Sequence, residues 1–134
     1  MIATDKSLLM EQLRIVGSIG KVQPAQEFRA APWHLAQAMG DDLVNFTFGT
    51  CDGLMRVLDG TLGLIAINNE VKGNGQFKQF MQFFEELAAA MYLDTSVLEI
   101  ENRRLYKHLV EKWGYIDYKA PGSTGLNLIK RAAK

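Results

Sequence analysis

TLGLIAINNEVKGNGQFKQFMQFFEEL, residues Thr61 to Leu87, decides how the chain is read. Thr61 to Ile67 is apolar, rich in β-branched residues and preceded by Asp59-Gly60, so it reads as a buried strand. Phe77, Phe80, Met81, Phe84 and Leu87 then fall at helical spacing. Between strand and helix lies Lys72-Gly73-Asn74-Gly75. Glycine lets the backbone turn sharply and approach a ligand. The first N–H groups of the helix lack partners within it and carry partial positive charge, which suits a phosphate. A strand, a glycine loop and a helix in this order form a candidate pyrophosphate cradle. The same glycines also serve a plain tight connection. Neither G-x-G-x-x-G nor the P-loop pattern fits, because Lys78 stands at the third glycine position and no Gly-Lys-Ser/Thr follows.

Upstream, Leu43 to Thr50 alternates apolar and polar residues, and Asp52-Gly53 and Asp59-Gly60 punctuate the runs that follow. Asp-Gly between apolar runs signals a hairpin. Three antiparallel strands are therefore expected to feed the glycine loop. Still earlier, Asp5 to Val16 reads as a helix and Pro32 to Met39 as a short one, with Pro32 at its first position and Gly40 as its cap. Downstream, Ser96 to Glu101 alternates as a strand, and Asn102 can cap a helix that carries Leu105, Leu109 and Trp113 and stops at Gly114. Tyr115 to Tyr118 and Leu126 to Lys130 complete the strands.

The 134 residues suit a single domain, with residues 1–30 as an N-terminal helical extension. Fifteen Lys and Arg balance fifteen Asp and Glu, which argues against a dedicated nucleic-acid binder. The sequence shows no long apolar run and no secretory pattern, so neither a membrane span nor a leader is expected. The lone Cys51 has no internal partner, and with two histidines no metal site is legible. A reducing, cytoplasmic compartment is the expectation.

The order of elements and two local motifs resemble the GNAT acetyltransferase superfamily over roughly residues 31 to 130. In that family a strand ending V-x-P-x-Y-R-G-x-G runs into the helix that holds the coenzyme A pyrophosphate; Ile67 to Gly75 corresponds here. A later L-x-V strand and an L-Y-x-x-x-G-F helix end look like Leu98-Glu99-Ile100 and Leu109 to Tyr115. The resemblance implies an α+β, GNAT-like fold: a central, mixed, mostly antiparallel sheet flanked by about four helices. It also implies acetyl-CoA as the cofactor. Backbone groups of Ile67 and Asn69 would hold the pantetheine arm, and Lys72, Gly73, Asn74, Gly75 and Gln76 the pyrophosphate. Asn102, which opens the second helix, joins this cofactor-binding set.

Two departures leave the function open. Aligned on the helix, the phosphate loop reads Lys72 to Phe77, with Phe77 where the family has Gly or Ala; one turn earlier it reads Glu70 to Gly75, with both glycines placed but Glu in the basic position. Val110 occupies the site of the tyrosine that protonates the departing thiolate in the family. Tyr106, one turn earlier on the same face, is the candidate replacement. Glu70 and Glu99 are the candidate general bases. Asp41, Asp42, Asp52 and Asp59 would suit a cationic acceptor, a small amine or a protein lysine. Three readings follow: an acetyl-CoA-dependent N-acyltransferase, a catalytically silent structural or interaction protein of the kind found in bacteriophages and their virions, or a module that only binds coenzyme A. The Phe-rich helix carries more aromatic surface than one buried face needs, so Phe83 or Phe84 is expected to meet a second chain or a neighbouring helix.

Overall fold

In the computed structural model, residues 10–11, 28–32, 43–58, 60–69, 75–119 and 125–131 are described. Four strands, β1 (Phe28–Pro32), β2 (Leu43–Phe48), β3 (Cys51–Leu58) and β4 (Thr61–Asn69), are successive antiparallel neighbours. Helix α1 (Gln76–Ala90) carries the chain across the sheet to β5 (Asp94–Val97), which lies parallel to β4. Such a crossover is what parallel pairing requires. Helix α2 (Arg103–Trp113) leads to β6 (Ile116–Asp117), and β7 (Leu128–Lys130) inserts antiparallel between β5 and β6. The seven-stranded sheet has the order β1-β2-β3-β4-β5-β7-β6.

This architecture corrects the expected one. The fold is α+β and its sheet is mixed and mostly antiparallel, but the described residues hold two bounded helices where about four were expected. Pro32 does not open a helix: it ends β1, opposite Val44. A proline is tolerated there because β1 is the sheet's edge strand and need not donate from every residue. Residues 33–39 lie outside the described set, as does the helix expected over 5–16 apart from Met10 and Glu11, which are helical. Phe28 to Ala30, read as the end of the N-terminal extension, belong to the sheet.

Two boundaries also move. The β2–β3 turn falls at Gly49-Thr50, with Gly49 at φ +59°, and Asp52-Gly53 is paired inside β3 with Thr47 and Phe46. The strand expected over Ser96 to Glu101 stops at Val97. By contrast, α2 begins after Asn102, whose Oδ1 accepts from the N–H groups of Arg104 (2.9 Å) and Leu105 (3.1 Å), and ends at Gly114 in the left-handed region.

The core forms between α1 and the sheet. Val44, Phe46 and Phe48 of β2 point inward while Asn45 and Thr47 stay exposed. Phe80 of α1 stacks on Phe46 with ring centroids 5.0 Å apart and meets Phe48 edge-on at 5.7 Å. Phe83 lies 4.8 Å from Phe28 of β1 and 5.5 Å from Phe48. Phe83 and Phe84 are both buried by the chain's own strands and side chains, so neither needs a second chain or a neighbouring helix. The extra aromatic width of α1 is used because β1 extends the sheet beneath it.

A polar network ties α1 to the far half of the sheet. The buried Tyr115 hydroxyl donates to Glu85 Oε2 at 3.0 Å and accepts from Thr95 Oγ1 at 3.0 Å, while Lys130 Nζ reaches Glu85 Oε1 at 3.0 Å. Burial, reinforced by the Glu85 charge, pushes the Tyr115 phenol well above its ordinary value although the Thr95 bond opposes this. A phenol raised on folding contributes stability that is intact below its unfolded value of about 10 and is lost as pH rises above it. Wild type should therefore lose up to about 1.4 kcal/mol per pH unit above roughly pH 10 through this group. Urea titrations of wild type and Tyr115→Phe between neutral and strongly alkaline pH check it: the variant should lack that part of the slope, and parallel curves would refute the assignment.

Candidate functional site

The central parallel pair is in register only from Thr61↔Asp94 to Leu64↔Val97. Both strands then leave the common line, for separate reasons. In β4, Leu54 of β3 faces Ala66 while Met55 faces Leu64, so Ile65 is an extra residue and forms a β-bulge. A bulge bends the strand and increases its twist. Gly53 pairs with Ile67 beside this feature, and a Cβ built there would sit 2.8 Å from the Ala66 carbonyl carbon and 3.1 Å from the Phe46 ring. Glycine is required here by close backbone approach.

On the other side, three successive amides take three different acceptors. The Leu98 N–H still donates to the Leu64 carbonyl at 2.9 Å. The Glu99 N–H donates to Asn127 Oδ1 at 2.9 Å, and the Ile100 N–H donates to the Leu126 carbonyl at 2.8 Å. Glu99 itself is in the left-handed region at φ +54°. The chain thus turns from β4 toward the segment that precedes β7.

The divergence opens a cleft of about 410 Å³. Leu64 to Ile67 form one wall, Val97 to Asn102 the other, and Leu105 of α2 closes it. The β4 wall is strand backbone, the other is irregular beyond Val97, and the lining side chains are mostly apolar, with Glu99 and Glu101 exposed. An extended, partly apolar ligand with amide groups fits such walls, since it can pair with a strand edge as an added strand does.

Of the expected site residues, the cofactor candidates Ile67 and Asn102 and the candidate base Glu99 come together on this cleft. Asn102 also caps α2, so its side-chain oxygen is engaged by the helix. Asn69 ends β4 opposite Cys51. Gly75 caps α1 at φ +76° with no side-chain cap, and Gln76 opens the helix with its Nε2 donating to Gln79 Oε1 at 3.0 Å. Lys78 and Gln79 are exposed and Phe77 is half-buried, as the first of the two loop alignments requires. Glu70, Lys72, Gly73 and Asn74 lie outside the described residues, as do Asp41, Asp42 and Asp59.

Tyr106 is placed elsewhere. Its hydroxyl donates to Asp117 Oδ1, in a separate groove shared with Tyr118 and Asn127, and this bond, ahead of burial, raises its pKa. Val110 is exposed on α2. The Cys51 thiol is buried and pushed up by that burial and by Asp52, which keeps it in the unreactive protonated form.

Leu105, Glu101 and Asn127 were not among the expected site residues. The signal for Asn127 was available: an amide inside the apolar run Leu126 to Ile129, where it is 5% exposed, must satisfy its polar atoms locally. None of the described helices is long and apolar enough to cross a membrane. Compared with known proteins, the chain matches no family model and no curated relative.

Proposed function

We propose that the β4–β5 cleft takes the pantetheine arm of acetyl-CoA and that the chain is an N-acyltransferase of the GNAT kind, acting on a primary amine in a cytoplasmic setting. The observation that carries this reading is the parting of one central parallel pair, by a bulge on one strand and a left-handed residue on the other, into a strand-wide slot. The slot leads from β4, whose chain continues into the N-terminus of α1 at the N-cap Gly75. That end suits the diphosphate of the same ligand.

When bound, acetyl-CoA would supply an acetyl group already activated as a thioester. The chain's own contribution is alignment and proton transfer. The Ile65–Ile67 backbone orients the arm, and Leu64, Leu98 and Leu105 exclude water around it. The carboxylate of Glu99 would take a proton from the attacking amine nitrogen as the new C–N bond forms and the C–S bond breaks. Water would protonate the departing thiolate, since Val110 has no proton to give and the Tyr106 hydroxyl is committed to Asp117. That last pair of facts also favours a second reading, a module that binds coenzyme A without turning it over.

Titration calorimetry with coenzyme A tests the binding that both readings share. Wild type should bind, and a hundredfold excess over the dissociation constant should raise stability by about 2.7 kcal/mol. Ala66→Trp, which fills the cleft from an exposed wall position, should abolish the heat without unfolding the chain. No heat and no thermal shift with wild type at millimolar ligand would end both readings. Binding without acetyl transfer to any amine would leave the second.

A further inference from the structure

Left-handed backbone crowds the Cβ of any residue but glycine against its own carbonyl, at a cost equivalent to roughly tenfold in an equilibrium constant. Glu99 holds that conformation at the point where β5 parts from β4, so something must hold it there. The neighbours identify what does. The Asn127 side chain accepts from the Glu99 N–H at 2.9 Å through Oδ1 and donates to the Gly125 carbonyl at 3.1 Å through Nδ2. Its own carbonyl accepts from the Tyr118 N–H at 2.9 Å, which fixes its backbone to the strand beyond. Gly125 lies close by: a Cβ there would sit 2.9 Å from Glu99 Oε1, the movable end of an exposed side chain.

We propose that Asn127 is a positioning residue that keeps the cofactor cleft open by clamping Glu99 in the left-handed conformation. Were Glu99 to relax to extended backbone, β5 would continue alongside β4 and the slot would close. The chemistry at position 127 is specific. A carboxylate could accept from Glu99 but not donate to Gly125, and an aliphatic side chain could do neither. The identity of the ligand rests on the acyltransferase reading; the clamp itself does not.

The test is a double-mutant cycle between Asn127→Leu and Glu99→Gly, read by coenzyme A affinity and by hydrogen exchange of the residue-99 amide. Asn127→Leu alone should weaken binding roughly tenfold and speed exchange at residue 99. In the Glu99→Gly background the same substitution should cost much less affinity, because glycine takes the left-handed conformation unaided. Equal losses in both backgrounds would reduce Asn127 to a general support of the fold and overturn the proposal. If wild type binds no coenzyme A, the ligand reading fails, and exchange alone decides the clamp: unchanged exchange at residue 99 in Asn127→Leu refutes it. Should Asn127→Leu fail to fold, Asn127→Asp takes its place. It keeps the acceptor but loses the donor to Gly125, so exchange at residue 99 should be faster than in wild type; unchanged exchange would refute the clamp.

Discussion

Gly53→Val should unfold the chain or lower its melting temperature by roughly 10 °C or more. The added Cβ would meet the Ala66 carbonyl, a backbone group that cannot swing aside as a flexible side chain does. Relief would require moving β4 at its bulge, and with it the Gly53↔Ile67 and Leu54↔Ala66 pairs. Overpacking of a tight interior typically costs about 1–3 kcal/mol, and a rigid neighbour places this case at the upper end or beyond. Gly60→Ala is the informative comparison. Gly60 sits at φ +74° in the β3–β4 turn with open space around it, so alanine there bears backbone strain without a clash. A thermal melt in which Gly53→Val proves no worse than Gly60→Ala would show that the bulge yields easily.

Glu99→Gly should separate stability from activity. Its left-handed φ costs about 1–2 kcal/mol in a residue with a Cβ, and glycine removes that cost while adding about 0.5–1 kcal/mol of unfolded-state entropy. The variant should therefore fold as well as wild type or slightly better. Acetyl transfer should nonetheless fall by roughly 10²–10⁴-fold, the usual worth of a general base. Stopped-flow or coupled thiol-release assays with saturating amine, beside a denaturant melt, give both quantities. Tyr106→Phe should leave the rate nearly unchanged, because Asp117 already holds its proton away from the cleft. Full activity in Glu99→Gly would remove Glu99 from the chemistry and leave it only a role in shape.

What was legible in the sequence was whatever a repeating pattern carries. The spacing of Phe80, Met81, Phe84 and Leu87 reports a helix face directly, and Asn102 and Gly114 bracket α2 through backbone chemistry that each residue type performs locally. The alternation in β2 survives because one face is core and the other is not. The misreadings share a cause. Asp52-Gly53 looks like a primed turn, but this glycine is demanded by a neighbour on β4, thirteen residues further along, that no local window contains. Val-Leu-Glu-Ile-Glu looks like a strand, but Glu99 turns left-handed because an amide twenty-eight residues on receives its N–H. Pro32 and Gly40 frame a helix by composition, while edge pairing with Val44 keeps Pro32 extended. The cleft depends on two such long-range events, so its residues were nameable only in part: Ile67, Glu99 and Asn102 from motif position, Glu101 and Leu105 not at all.

The single parallel pair has a further meaning for how the molecule comes together and comes apart. Strands β1 to β3 pair only with sequence neighbours, while β5 reaches β7 across as much chain as it reaches β4. Strands β4 and β5 join at a seam four residue pairs long, sealed by the hydroxyls of Thr61 and Ser96 2.8 Å apart across thirty-five residues of chain. Contacts that distant form late and open early, because loop closure must precede them. The slot lies at the end of that seam. A ligand lying along both walls would bridge that seam, and the protection it confers should appear first in the β4 and β5 amides, as one cooperative unit rather than as local stiffening of a loop.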